Sequence, residues 1–373
     1  MPGSTRWTVI EMIASGPNRR GFLGGLMAAS LIPRPTWADA GAPSYLSAAA
    51  RPDGSYVLCG IGADQNVLFQ IPLPDRGHAA AAHPARPDAV AFARRPGTFA
   101  IVIDCLTGKS KAKLTGPQGR HFYGHGTFSK DGAWLFTTEN DFEAGQGRIG
   151  VWDVAAGYTR AHEFSSGGIG PHDIKRLPDS DVLVVANGGI DTHPDTGRTK
   201  LNIPTMVPNL AYTKDGVVIE IAEFGADLRK NSIRHLAVSA SGQVAFGMQW
   251  QGDVDVTGLV GTHRRGAPAQ VLPAPKNLVR SMQGYIGSIA FSADDATIAA
   301  TSPRGGFIHT FDAATGRFQN AYPVADVSGV APDRGGFIVT SGSGMMQNID
   351  NPVGPMLARH DLAWDNHLVP ITS

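Results

Sequence analysis

The sequence is poor in the features that classify a chain quickly. It has two cysteines, Cys59 and Cys105, too few for a disulfide framework. Both sit in apolar runs ("SYVLCGIG" and "FAIVIDCL"), where buried free thiols are expected and a single bridge in an oxidising compartment is the alternative. Neither charge is in excess: 32 basic against 32 acidic residues give a formal net charge of +0, which argues against a nucleic-acid binder. Charged residues make up 17% and apolar residues 42%, enough for a large core and against general disorder. Helical periodicity is scarce, and no histidine pair stands at ligand spacing on a helix. The apolar run near the N-terminus is too short to span a bilayer.

What is abundant is turn chemistry. The 46 glycines and 26 prolines suit many short strands joined by tight turns, so 373 residues fit one large all-β domain as well as two average ones. The N-terminal stretch "NRRGFLGGLMAASLIPRPTWADA" holds Arg19-Arg20, then Phe22 and Leu23, an apolar run to Ile32, and Ala38 and Ala40 as an A-x-A cleavage site. It resembles a twin-arginine export signal, a receptor-read address rather than an anchor. The expected division is a cleaved leader at 1–40 and a periplasmic protein at 41–373.

Self-similarity is the strongest signal. "HGTFSKDGAWLFTTEN…GRIGVWDVAAGY" (125–158) and "GSIAFSADDATIAATSPRGGFIHTFDAATGRF" (287–318) share one layout. An apolar strand ends in Phe-Ser, a turn forms around Asp, and a β-rich strand follows. A third strand then ends in Trp-Asp or Phe-Asp before an Ala-x-Gly turn. Trp152 and Phe311 on those third strands read as packing residues. Further copies start near Tyr45, Ala81, His172, His235 and Val327, making seven units. A lone four-stranded unit cannot bury both faces; stacking units around an axis can. The sequence therefore predicts an all-β, seven-bladed β-propeller of four-stranded antiparallel blades. Its last strand, "NHLVPITS", would close the ring by pairing in the first blade.

In a propeller the first strand of each blade lines the channel. With the turn residue as a ruler, His125 stands six before Asp131, His235 six before Ser241 and Ser288 six before Asp294. His172 stands seven before Asp179, so equivalence requires a one-residue bulge. Ser47, Ala81 and Val327 take the corresponding place in units one, two and seven. His125, His172 and His235 are thus candidate ligands for one transition metal, because neutral imidazole suits zinc, copper, iron and nickel. Channel histidines that only bind water or backbone are the competing reading. His121, and His193 from the long insertion "NGGIDTHPDTGRTKLNIPTMVPN", are candidates to complete the site. Arg198, Lys200 and Arg234, with Ser288, form the candidate anion- or ligand-binding set. Asp173 and Arg234 flank histidines but should point the opposite way along a regular strand. Glu139, Asn140, Asn187 and Gln249 end second strands and read as solvated ends, with the channel mouth as the alternative.

Several segments together resemble one bacterial family of exported seven-bladed propellers: the leader, "HGTFSKDGAWLFTTEND", "RIGVWD", "PHDIKRLPD…LVVANGGIDTHPDTGRTKLN" and "RHLAVS". Members of that family are often encoded beside imelysin-like iron-uptake proteins and haem-containing peroxidase-like proteins. The resemblance implies a part in periplasmic iron or metal handling, with such proteins as partners, and implies no assigned reaction. Iron is the favoured metal on this ground, and copper or zinc suits the ligands equally. A weaker similarity to propeller lactonases rests on shared turn phrases. It offers a hydrolytic alternative with His172 or His235 as base and Arg198 or Arg234 as anion stabiliser. A third reading is a non-catalytic docking platform for iron-uptake partners.

Overall fold

The repeated Phe-Ser-x-Asp phrase builds the same turn twice. In the third unit Ser129 Oγ donates to Asp131 Oδ1 at 2.6 Å, Ala133 N donates to Asp131 at 2.9 Å, and Trp134 N donates to Ser129 Oγ at 3.0 Å. Ser292, Asp294, Ala296 and Thr297 make the corresponding bonds at 2.6, 3.1 and 2.9 Å in the sixth unit. Each turn reverses the chain between a first and a second strand, which is why the phrase recurs with the blade. At the end of the third strands the Asp side chains accept from the following turn, Asp153 from Ala156 N and Asp312 from Thr315 N.

The computed structural model describes residues 34–94, 98–197, 199–253, 256–350 and 356–371. It contains seven antiparallel sheets, six of four strands and one of five, and is a seven-bladed propeller. The innermost strands of blades 2 to 7 are Gly77–Ala82, Arg120–Phe128, Pro171–Arg176, Asn231–Val238, Ser288–Phe291 and Val327–Asp333. Blade 1 is closed by the C-terminus, as the sequence predicts: Val369 and Pro370 pair with Leu46 and Tyr45, and Trp364 pairs with Ala49. One consequence corrects the sequence reading. The C-terminal segment is the innermost strand of blade 1, so Tyr45–Ala50, with Ser47, is the second strand.

The apolar residues of the described chain sort into seven cores, one per blade interface. Trp152 belongs to the core between blades 2 and 3, and Phe311 to that between blades 5 and 6, as expected. Cys59 and Cys105 are buried free thiols in two of these cores. Arg19-Arg20 lies outside the described residues. Trp37, inside the segment expected to be leader, is buried among side chains of blades 1 and 2 and donates Nε1–H to the His83 carbonyl at 2.8 Å. Among the described residues no helix is long and apolar enough to cross a membrane.

Ring closure predicts a specific sensitivity. Deleting 362–373 removes the buried Trp364 and Leu368 and leaves Tyr45–Ala50 as a bare edge. Calorimetry should show a melting temperature lowered by about 10 °C or more. An unchanged midpoint would mean that the closure carries no stability.

Candidate metal centre

A regular strand alternates its side chains, so one residue per blade cannot simply be turned to the axis. The innermost strands achieve this with breaks in register. In blade 4, Pro171 pairs with Asn187 and Asp173 with Ala186, leaving His172 as the extra residue that the turn ruler predicts. In blade 5, Ile233 pairs with Met248 and His235 with Gly247, so Arg234 is the extra residue. Blade 2 breaks between Gly77 and Ala80, around His78, and blade 3 between Phe122 and Gly126, around His125. In blade 1, Ser47 and Ala48 stand against the four residues 365–368, which include His367. Gly124 is required in blade 3. Its φ is +98°, and a Cβ there would lie 2.8 Å from His78 Cδ2.

These breaks bring five imidazoles together: His367, His78, His125, His172 and His235, in blade order from 1 to 5. Successive ring centroids are 4.7, 4.9, 5.0 and 4.8 Å apart, and His235 returns to His367 at 4.8 Å. His78, His125 and His172 each offer a ring nitrogen within 4.8 Å of the others, and so do His125, His235 and His367. A metal bonded at ~2.0–2.2 Å holds its ligand atoms roughly 3 to 4.2 Å apart, so small ring rotations suffice to close either set.

The hydrogen bonds set the tautomers. His172 Nδ1 lies 2.9 Å from the Arg234 carbonyl oxygen, which can only accept, so Nδ1 bears the proton and Nε2 the lone pair. His125 Nδ1 lies 3.2 Å from Asp173 Oδ1, which again directs the lone pair to Nε2. That Nε2 is 3.2 Å from His78 Nε2. A neutral His78 has one ring proton and two acceptors facing it: His125 Nε2, and Asp365 Oδ1 at 3.8 Å from Nδ1. Whichever end keeps the proton, the other presents a lone pair to an acceptor. Both ring nitrogens of His235, and Nε2 of His367, are buried with no hydrogen-bond partner. A cation at the centre would take up one lone pair from each ring that it reaches.

The two carboxylates are held in place independently. Asp173 accepts from Ile174 N at 2.8 Å and from Leu236 N of blade 5 at 2.9 Å. Burial opposes its ionisation, but Lys175 and His125 outweigh that and hold the carboxyl well below its ordinary range. Asp365 accepts from Arg76 Nε at 2.6 Å and Arg94 at 2.8 Å, and it too is held low against the cost of burial by His78 and Arg94. Burial depresses His78 to about 4. Burial first, then neighbouring charges, places His172, His235 and His367 well below the usual imidazole range. These rings are therefore neutral at pH 7, the form that ligates metals.

Three of the expected ligands, His125, His172 and His235, meet in this cluster. The other two do not join it. His121 stacks on Phe142 at 5.7 Å, and His193 packs edge-on to the same ring at 5.0 Å while Nδ1 accepts from Asp195 N at 3.2 Å. Ser288 is buried on the innermost strand of blade 6, Lys200 donates to Gln251 Oε1, and Arg234 supplies its carbonyl to His172. Arg198 lies outside the described residues. Asp173 does face a histidine, because the bulge at His172 breaks the alternation that would have turned it away. Glu139, Asn140 and Asn187 are fully buried rather than solvated; Glu139 receives both Arg160 nitrogens at 2.8 Å. Gln249 is partly buried.

His78 and His367 are absent from the sequence-derived set. The turn ruler selects Ala81 in blade 2 because it takes Asp88 as the mid-turn residue, whereas Asp88 closes the turn by accepting from His83 N at 2.9 Å; the residue matching Asp131 there is Ala85, seven after His78. In blade 1 it selects Ser47 because the innermost strand comes from the other end of the chain. The signal for His367 was present in "NHLVPITS", once the closing strand is read as innermost.

The depressed imidazole pKa values have a definite consequence. The unfolded chain binds protons near pH 6.5 that His78 refuses until about pH 4, and that His172, His235 and His367 likewise refuse until well below the ordinary imidazole range. Between those values the unfolded state binds more protons, so stability falls as pH is lowered. Metal-free protein should show a melting temperature that declines from pH 6.5 to 4, and His78→Gln should flatten that decline. A flat profile in the wild type would contradict the neutral cluster.

Comparison with known proteins adds the fold and the family. Many solved structures match, among them Kuenenia stuttgartiensis hydrazine synthase, with a TM-score of 0.56 and 12% identity over 83% of this chain and 94% of that one, and a chain of the mitotic checkpoint complex, with a TM-score of 0.55 and 14% identity over 78% and 82%. At such identities the likeness is one of fold alone. No curated protein matches the sequence. The family model described as "Protein of unknown function (DUF1513)" matches residues 71–371, which takes in all five clustered histidines, and the chain belongs to that family.

Proposed function

We propose that the protein binds one transition-metal ion on the propeller axis, with His78, His125, His172, His235 and His367 as the ligand pool. The observation that carries this reading is the convergence of ring nitrogens on the axis: His78, His125 and His172, and likewise His125, His235 and His367, bring one nitrogen each within 4.8 Å of one another, with His125 Nε2 and His78 Nε2 only 3.2 Å apart. Burying such groups without partners costs free energy that a cation would recover. Asp173 and Asp365 would orient His125 and His78 from behind, as carboxylates do for metal-bound imidazole. An all-imidazole set suits iron, copper, zinc or nickel and disfavours magnesium or calcium.

The finer assignment follows from the sequence. With an export signal of the twin-arginine type the site works in the periplasm, and the family likeness makes iron the favoured ion and imelysin-like or haem-containing proteins the partners. Protein matured in its own compartment should carry about one metal ion per chain by elemental analysis, and stripped protein should rebind it with micromolar affinity or better. His235→Ala combined with His367→Ala should abolish rebinding while the fold, read by circular dichroism, persists. Metal-free native protein that also fails to take up zinc, copper or iron would refute the proposal.

A further inference from the structure

A cavity of about 430 Å³ lies beside the histidine cluster: its lining includes Gly77 and Asn366, the chain neighbours of His78 and His367. Its polar wall carries Arg76, Arg94 and Arg304 against Asp326 and Asp365, three guanidiniums to two carboxyls. Arg76 and Arg94 both engage Asp365, so Arg304 is the cation left over. It lies over the Tyr285 ring, 4.4 Å from its centroid, and makes no ion pair among the described residues. The positive field extends beyond the wall: burial, then Arg234 and Arg304, lowers the pKa of Lys200. The opposite wall is apolar, with Ala49, Ala50, Tyr56 and Trp364. Trp364 is buried, and its indole N–H meets no acceptor among the described residues.

We propose that this cavity is a binding site for a small polycarboxylate. Guanidinium groups grip carboxylates through paired N–H donors, and Arg304 lies over the Tyr285 ring with no ion pair among the described residues. The apolar wall suits a carbon skeleton, which inorganic phosphate lacks. Asp365 joins this cavity to His78, so a carboxylate that draws Arg76 or Arg94 from Asp365 leaves more negative charge behind the imidazole. Anion and metal should therefore strengthen each other's binding, reciprocally. That coupling rests on the metal reading, whereas the anion site does not.

Citrate, succinate and inorganic phosphate serve as probes in calorimetric titrations of full-length, metal-stripped protein at low salt. Citrate should bind with micromolar affinity and phosphate at least about tenfold more weakly. Arg304→Gln should weaken citrate about tenfold or more with the melting temperature unchanged, whereas Arg94→Gln should weaken citrate and also lower the melting temperature, because it removes a partner of the buried Asp365. His235→Ala, placed in the metal cluster, should leave citrate binding to stripped protein within about twofold. Zinc loading should tighten citrate in the wild type only. Absence of citrate binding at millimolar concentration, tighter binding of phosphate than of citrate, or wild-type citrate affinity in a folded Arg304→Gln variant each overturns the proposal. Zinc uptake without citrate binding defeats the anion site alone; citrate binding without zinc uptake supports it and defeats the metal centre.

Discussion

The axial chemistry depends on one pairing: residues 363–370 laid antiparallel on Tyr45–Ala50. Without it blade 1 would lack an innermost strand, Tyr45–Ala50 would expose a row of unpaired backbone groups, and the core between blades 7 and 1 would lose Trp364 and Leu368. The same segment carries Asp365 to the arginines of blade 2 and His367 to the imidazole ring. Closing the fold and completing the polar centre are therefore one event. The first and last strands of the described residues meet in a single sheet, and the ligand cluster records that meeting.

A second constraint is local. Regular strands would send alternate side chains into the interblade cores, where a histidine would face only apolar neighbours. Register breaks in five innermost strands redirect those residues inward, at the cost of ladder hydrogen bonds and with help from the left-handed backbone at Gly124. The outcome is a channel lined by five imidazoles, backed by two ionised carboxylates. The seven apolar cores supply the stability that lets the centre of the ring hold so many poorly satisfied polar atoms.

The two charge patterns around the axis differ in kind. Glu139 is neutralised by Arg160 in a buried, doubly bonded pair within blade 3, and Gly150 leaves it room: a Cβ there would lie 2.0 Å from Glu139 Oε1. That is a closed structural network. At the mouth beside blades 1, 2 and 6, by contrast, Arg304 has only an aromatic face beneath it, and Asp365 divides its oxygens among two arginines and the approach to His78. Satisfied charge and available charge thus lie in separate parts of the ring.

The blade repeat was legible in the sequence because it is local: Ser129, Asp131 and Trp134, or Ser292, Asp294 and Thr297, close a turn within six residues. His125, His172 and His235 were legible for the same reason, since each keeps a nearly constant distance from such a turn. Even the bulge at His172 could be read as a count of one residue too many. His78 and His367 were decided only by the tertiary structure. An alanine, Ala85, in place of the mid-turn aspartate hides the first, and the second enters the ring from a strand remote in sequence, where no local spacing relates it to the other four. The partnership of Asp173 with His125 and of Asp365 with His78 likewise exists only across blades, because side chains remote in sequence become neighbours when the sheets stack radially around a shared axis.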